Sequence, residues 1–191
     1  MQIEALPANV YETFGMTETA SHIALRKVSA TRGPFYTLPG VRVDQSDENC
    51  LVIHAPHIST EPIITNDIVE LVNKESFYWI GRKDNQINSG GLKIHPERIE
   101  KLIRTFVQQP FFVTSLPDHL LGEKMVLLIE NGGTVNIANV QLNLQNELDR
   151  HTLPKSIFVL NQFMRTGNGK IIRHATRNMM MTGEIEIVEQ S

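Results

Sequence analysis

The chain contains 191 residues with 18 basic and 21 acidic side chains, so its net charge of -3 at pH 7 does not favour a surface that binds nucleic acid. Its hydrophobic fraction of 41% supports a packed core and excludes a wholly disordered chain, and its longest aliphatic run, Val126–Ile129, is far too short to span a membrane. The single cysteine, Cys50, cannot form an internal disulfide, which favours a reducing, cytoplasmic location.

The first part of the chain, up to about residue 81, is predicted to consist of short strands separated by turns. Apolar runs indicate strands at Leu51–His54, Ile68–Val72 and Phe77–Ile80, and the short polar segment between the last two favours a hairpin. Ahead of them, YETFGMTET (Tyr11–Thr19) sets one glycine beside three threonines. On its own this segment is interpreted as a loop, although its hydroxyl and amide groups are also suited to a phosphate.

The second part of the chain changes to a helical period after Pro96. The apolar residues Ile99, Leu102, Ile103 and Phe106 follow i, i+3, i+4, i+7 spacing, which predicts a helix with one buried face and with Pro96 in its first turn. Two more helices are predicted from apolar spacing, one through Val140, Leu144 and Leu148 and a weaker one from Ile171 to Met179.

Strands alternate with these helices. They are predicted at Phe111–Leu116, Lys124–Ile129 and Ile157–Leu160, while Gly183–Ser191 is interpreted as either a strand or a frayed tail. The fold class is therefore predicted to be α+β, and the change of pattern near Gly81–Asp84 predicts a domain boundary there.

Two glycine-containing segments of the second part are candidates for chemistry. In Ser89–Gly91, two residues without side chains would let an extended ligand pass close to the backbone; the alternative is a turn in a solvated linker. RTGNGKIIR (Arg165–Arg173) places Lys170 at the exit of a tight turn, where a plain charged turn is the alternative. It is not a Walker phosphate loop, because Ile171 stands where a Ser or Thr would bind magnesium.

Five segments occur in the order in which adenylate-forming acyl-CoA synthetases carry their motifs, and the chain resembles the later part of that family. The segments are FGMTET (Phe14–Thr19), TND (Thr65–Asp67), GRKD (Gly81–Asp84), SGGLKIHPERIE (Ser89–Glu100) and GNGKIIR (Gly167–Arg173). Within the family, ETFGMTETASHIALR favours the members that act on o-succinylbenzoate. The resemblance implies that residues 1–81 are the end of a large adenylation domain and residues 82–191 a small, mobile C-terminal domain.

The resemblance also implies the reaction. A carboxylic acid attacks the α-phosphate of ATP to give an acyl-adenylate and pyrophosphate, and the thiol of CoA then displaces AMP. By position, Phe14 is expected beside adenine, Thr17 at the phosphates and Glu18 at Mg²⁺. Asp67 and Arg82 are expected to bind the ribose, which suits a carboxylate because an ionised carboxylate only accepts hydrogen bonds.

The small domain is implied to serve both steps. Lys170 matches the catalytic lysine of the adenylation step, and Ser89, Gly90 and Gly91 match the loop that lines the pantetheine tunnel for CoA. Since these residues lie at different places on one domain, the domain is expected to rotate between the steps, with Asp84 as the hinge.

The sequence departs from the family pattern in two ways that bear on function. It lacks the Ser/Thr/Gly-rich phosphate loop that the family carries before FGMTET, so the chain is expected to be a fragment that is inactive alone. Asn66 stands where glycine is usual in TND, and the turn is expected to survive because asparagine tolerates left-handed backbone.

Several functions stay open at this point. An aryl or fatty acyl-CoA ligase and a carrier-protein adenylation domain share the motifs, and a non-catalytic binding module derived from the family would tolerate loss of the phosphate loop. The expected partners are a small-molecule carboxylic acid, ATP and CoA, and a homo-oligomer formed through the absent domain is left open.

Overall fold

The computed structural model describes residues 8–29, 31–132 and 135–188 and divides into two units, the first ending at Asp84 and the second beginning at Asn85. Each unit contains its own sheet. Within the described ranges, every helix is too short or too polar to cross a bilayer.

Seven antiparallel strands form the sheet of the first unit, in the order β1-β2-β3-β7-β6-β5-β4. The strands are β1 (Tyr11–Gly15), β2 (His22–Lys27), β3 (Phe35–Thr37), β4 (Arg42–Gln45), β5 (Cys50–His54), β6 (Ile63–Asn73) and β7 (Ser76–Arg82). Phe35 and Phe77 are paired across β3 and β7 and are buried in the core of this unit. The three strands predicted here correspond to β5, β6 and β7, and the predicted hairpin is confirmed by the pairing of Asn73 with Ser76.

The interpretation of Tyr11–Thr19 as a loop is wrong for the first part of this segment. Its first five residues form β1, which pairs with β2 and half-buries alternate side chains, Glu12 and Phe14. Pairing with the next strand, β2, overrides the turn-like local composition here. Gly15 lies where the β1–β2 register shifts, and a Cβ on it would come within 2.5 Å of the His22 Cα, so this glycine is required by a close backbone approach.

The expected turn at TND is also corrected. Thr65–Asp67 lies inside β6, and Asn66 is not among the non-glycine residues with positive φ in the described ranges, which are Ala20 and Asn49. Asn66 therefore adopts ordinary strand backbone, and its tolerance of left-handed backbone is not used.

The second unit confirms the predicted α+β class. Its strands are β8 (Ile87–Ser89), β9 (Leu92–Ile94), β10 (Phe111–Asp118), β11 (Gly122–Glu130) and β12 (Ser156–Leu160), and its helices are α1 (Pro96–Ile103), α2 (Ile137–Glu147) and α3 (Arg173–Thr182). Strand β11 is central: it pairs antiparallel with β10 and β8 and parallel with β12.

The β10–β11 pair is buried on both faces, which explains why these strands read as continuous apolar runs. Alternate residues of β11 belong to two separate clusters. Leu127 lies in the cluster that contains Ile103 of α1 and Leu144 of α2, whereas Leu128 lies in the cluster that contains Met180 of α3.

Several boundaries differ from the sequence predictions. Helix α1 ends at Ile103, so Phe106 lies beyond it, and Leu102 remains 37% exposed. Helix α3 begins only at Arg173, because Ile171 is bridged to Arg165 in a preceding hairpin. Gly183–Ser191 is interpreted from the sequence as either a strand or a frayed tail; its described part forms one bridge, between Ile187 and Leu160, and residues 189–191 lie outside the described ranges.

Candidate functional site

A cavity of about 250 Å³ in the first unit collects three of the residues that the motifs singled out. Its wall is formed by β1 and the residue after it, together with one position each of β3 and β6 and two positions of β7. The lining residues are Glu12, Thr13, Phe14, Gly15, Met16, Phe35, Asp67, Trp79 and Arg82. Phe14, Asp67 and Arg82, which are far apart in the sequence, are thus brought together.

Asp67 is the buried carboxylate of this cavity, with 6% of its surface exposed. Strand pairing places it opposite Arg82. Its Oδ1 accepts a hydrogen bond from the Trp79 indole Nε1 at 2.8 Å, and its Oδ2 lies 3.8 Å from the Arg82 Nη1. A carboxylate has about four lone-pair sites, so one indole donor leaves Asp67 able to accept from paired hydroxyl groups.

Arg82 links the cavity to the end of the first unit. Its Nη2 donates to the Asp84 Oδ2 at 2.9 Å, and nearly half of its side chain is exposed. Asn66, the residue that replaces the usual glycine, has its Nδ2 3.5 Å from the same Asp84 oxygen. Two of the nucleotide-binding candidates, Asp67 and Arg82, therefore form one continuous polar edge with the hinge candidate Asp84.

Phe14 supplies the aromatic part of the wall. Its half-buried ring packs against Phe35 and Phe77, with centroid distances of 5.4 Å and 5.2 Å. These contacts fix the ring in the core, so that it presents an immobile apolar surface to the cavity.

Thr17 and Glu18 are exposed and are not part of the cavity wall. They form a 3-10 turn with Thr19, directly after Met16, which does line the cavity. The described residues contain no group of three or more His, Cys, Asp or Glu side chains suited to a metal ion. Mg²⁺ is commonly held by one or two carboxylates together with substrate phosphates, so Glu18 fits a metal that arrives with a nucleotide.

Lys170 lies in the second unit on a tight hairpin between β12 and α3. The Thr166 N–H donates to the Lys170 carbonyl at 2.9 Å, and the Lys170 N–H donates to the Thr166 Oγ1 at 3.1 Å. Gly169, with φ of 85°, makes the turn. The hairpin fixes the lysine backbone, while the side chain is exposed.

Glu130 of β11 anchors the base of this hairpin. Its two carboxylate oxygens accept from the Arg165 Nη1 and Nη2 at 2.5 Å each, and one also accepts from the Phe163 N–H at 2.6 Å. The hydrogen bonds from Arg165 lower the pKa of Glu130 despite its burial. Sequence reasoning missed this residue because it lies far upstream of the hairpin and no local pattern marks it.

The double glycine has a structural reason of its own. Ser89 and Leu92 are paired, so Gly90 and Gly91 form a two-residue hairpin turn between β8 and β9, with φ of 57° and 83°. Positive φ at both positions is the requirement of a type I′ turn. The glycines therefore need no ligand to explain them, although the space around a Cβ on Gly91 is open to 4 Å.

One further feature of the cavity wall was not anticipated from the sequence. Glu12 accepts hydrogen bonds from Arg26, which is only 4% exposed, and from Arg32. Burial by itself would raise the pKa of Glu12, but the two guanidinium groups outweigh it and lower the pKa. The Arg26 guanidinium also lies over the Phe35 ring at 4.0 Å, so this charge cluster stabilises the aromatic wall.

Comparison with known proteins gives the family context. No family model matches the chain. A curated relative named 2-succinylbenzoate–CoA ligase, from Listeria monocytogenes, is 28% identical over 186 residues and covers 85% of this chain. The chain spans only 39% of that relative's length.

Solved structures agree with this relative. An acyl-CoA synthetase (AMP-forming)/AMP-acid ligase II-like protein from Dyadobacter fermentans is 33% identical, with a TM-score of 0.50. The match covers 94% of this chain and 53% of that protein's chain. The o-succinylbenzoate coenzyme A synthetase of Bacillus subtilis, in complex with ATP and magnesium, matches with a TM-score of 0.75. This match covers 88% of this chain and 41% of the synthetase chain. Its identity of 18% supports the fold alone. The resemblance predicted from five motifs is thus confirmed: the chain resembles the C-terminal portion of the adenylate-forming acyl-CoA synthetases, and 2-succinylbenzoate–CoA ligases are among its relatives.

Proposed function

We propose that this chain is the C-terminal part of an ATP-dependent acyl-CoA ligase that adenylates a carboxylic acid and transfers the acyl group to CoA. The observation that carries the proposal is the convergence of Phe14, Asp67 and Arg82 on one cavity. In this proposal the first unit is the end of the large adenylation domain, and the second unit is its small mobile domain.

The cavity of the first unit would bind the nucleoside part of ATP. Asp67 would accept hydrogen bonds from the ribose hydroxyls, and Arg82 would add a donor at the same sugar. The Phe14 ring, held in the core by its aromatic neighbours, would lie beside adenine. Thr17 would contact the phosphates, and Glu18 would hold Mg²⁺, which neutralises phosphate charge when it is bound.

The second unit would supply the charge for the first chemical step. In that step a carboxylate oxygen forms a bond to the α-phosphorus and pyrophosphate leaves. The ammonium group of Lys170, a compact charge on a flexible stem, would bridge the substrate carboxylate and the α-phosphate. Its hairpin is held by Glu130, so the backbone from which the side chain extends is fixed.

The second step would use another part of the same unit. The CoA sulfur forms a bond to the acyl carbon and loses its proton, and AMP leaves. The Ser89–Gly91 turn would line the path of the pantetheine arm. Rotation about Asp84 would exchange this turn for Lys170, and Asp84 is the last residue of the first unit.

We further propose o-succinylbenzoate as the acid and the cytoplasm as the location. The first is supported by the name of the Listeria relative, and the second by the buried free thiol of Cys50. An aryl or fatty acid would fit the motifs equally well, and so would an acid loaded onto a carrier protein. The resemblance implies that the acyl pocket lies mostly upstream of this segment.

The test uses the protein expressed from its entire gene, including any coding sequence upstream of Met1. It is assayed with ATP and CoA and with o-succinylbenzoate, benzoate or a long-chain fatty acid. We expect AMP and pyrophosphate release with acyl-CoA formation, greatest with o-succinylbenzoate. A folded protein that adenylates none of these acids would favour the non-catalytic binding module.

A further inference from the structure

We propose that Trp79 is a positioning residue for Asp67, which orients the carboxylate so that it accepts the sugar hydroxyls of a bound nucleotide. This proposal rests on the function proposed above. Trp79 is the only tryptophan of the chain, and it lies outside all five motifs.

The hydrogen bond between the two residues is well formed. The Trp79 Nε1 donates to the Asp67 Oδ1 at 2.8 Å, within the usual range for an N–H donor and an oxygen acceptor. The indole is packed against the core cluster of the first unit, so its N–H direction is set by packing and not by the ligand. Asp67 is thus oriented before any nucleotide arrives.

A bulge in the β6–β7 pairing brings Trp79 to this position. Asp67 pairs with Arg82 and Val69 pairs with Trp79, so two residue steps on β6 match three on β7. In a regular strand, residues three apart point to opposite faces. The extra residue of β7 instead turns Trp79 and Arg82 toward the face that carries Asp67, as bulges do when they re-aim a side chain.

The two carboxylate oxygens therefore have different neighbours. Oδ1 receives the neutral indole N–H, while Oδ2 lies 3.8 Å from the Arg82 Nη1. If the indole donor were removed, a buried carboxylate oxygen would lose its partner, and Asp67 would turn toward another donor. We expect the consequence at the sugar hydroxyls and not in the fold.

The test compares AMP with dideoxy-AMP, which lacks both sugar hydroxyls, on the 191-residue chain. Trp79→Phe keeps an apolar ring but removes the donor. Binding is followed by nuclear magnetic resonance titration of cavity-wall amides, at millimolar nucleotide. We expect Trp79→Phe to weaken AMP binding about tenfold, the effect of one hydrogen bond, and to leave dideoxy-AMP binding unchanged.

Two variants make the outcomes distinguishable. Tyr78→Phe, at the neighbouring β7 residue outside the cavity wall, is the matched control and should change the binding of neither nucleotide. Asp67→Asn is the reference for the site and should weaken the binding of AMP but not that of dideoxy-AMP. In the unsubstituted chain, AMP should also shift the single indole N–H resonance.

Each contrary result has a separate meaning. Equal weakening of AMP and dideoxy-AMP by Trp79→Phe would reduce Trp79 to a structural role and overturn the inference. If Asp67→Asn weakens AMP binding and Trp79→Phe does not, the inference is overturned and the proposed function stands. An indole resonance that AMP does not shift, with no effect of Asp67→Asn, would overturn the proposed function and the inference with it.

Discussion

Lys170 is the residue whose proposed role can be separated most sharply from every other. It is exposed on a fixed hairpin, so replacing its side chain should change charge at the site and little else. The suitable host is a hybrid ligase, in which this chain replaces the matching segment of the Listeria relative. There, Lys170→Ala should slow acyl-adenylate formation by roughly 2.7 to 4 kcal/mol of barrier, the typical effect of removing one preorganised donor.

The control for this substitution is Lys101→Ala, which removes another exposed lysine of the same unit. Pyrophosphate exchange measures the first half-reaction, and acyl-CoA formation from supplied acyl-adenylate measures the second. The second should be nearly unchanged in both variants. Equal losses in the two half-reactions would contradict the assignment of Lys170 to the first step and would remove the argument for domain rotation.

The residues of the cavity show what a single sequence can reveal. Asp67 and Arg82 were predicted because each stands in a short motif with a known order along the chain. Trp79 and Glu12 were not, because their roles depend on partners across strands. The bulge that turns Trp79 toward Asp67 leaves no signal in the period of β7, since the apolar run simply continues through it.

At the scale of elements, the hairpin that carries Lys170 depends on one carboxylate. The pKa of Glu130 is lowered from its usual value of 4.5, first by the hydrogen bonds from Arg165 and against the effect of burial. A group whose pKa is lower in the folded state contributes stability above its unfolded pKa, and this contribution is lost as the pH falls through the folded pKa. Glu130 therefore stabilises the hairpin at neutral pH and loses this effect in acid below 4.5.

We expect Glu130→Gln to lower the free energy of unfolding by about 1 to 3 kcal/mol at neutral pH, because it weakens two charged contacts and one to a backbone N–H. The deficit should shrink as the pH falls below the usual glutamate pKa. Urea unfolding of the chain across this pH range measures it, with Glu147→Gln, an exposed position of α2, as the control. A deficit that stays constant with pH would show that Glu130 does not act through its charge.

The strands and helices differ in how well the sequence pattern predicts them. Helix α1 and strands β10 and β11 carry strong apolar patterns, and the structure contains each of them, although α1 ends at Ile103, before the predicted Phe106. Strands β1 and β8 carry weak ones, because β1 mixes threonine and glutamate and β8 has only three residues. Both are held by pairing with other strands, which a local pattern does not encode.

At the scale of the whole molecule, the residues proposed for binding and catalysis are divided between the two units. Asp67 and Arg82 belong to the first unit and Lys170 to the second. The sequence lacks the family's phosphate loop, and the chain spans 39% of the Listeria relative. The groups expected to hold triphosphate and carboxylate in attack geometry are therefore not all encoded here. Positioning of reactants can account for roughly 7 to 11 kcal/mol of a reaction barrier.

The 191-residue chain alone should accordingly fold and show no pyrophosphate exchange with o-succinylbenzoate or any other carboxylic acid. It should bind ATP and AMP weakly and about equally, because Asp67 and Arg82, the residues proposed to contact the ribose, are present, whereas the family's phosphate loop is not. Isothermal titration with each nucleotide and an exchange assay on the purified chain measure both expectations. Tight ATP binding, or measurable exchange, would mean that the two units supply a phosphate site that the five motifs do not mark. AMP and ATP share the ribose and differ only in their phosphates. The ratio of their affinities therefore measures how much such a phosphate site contributes to binding.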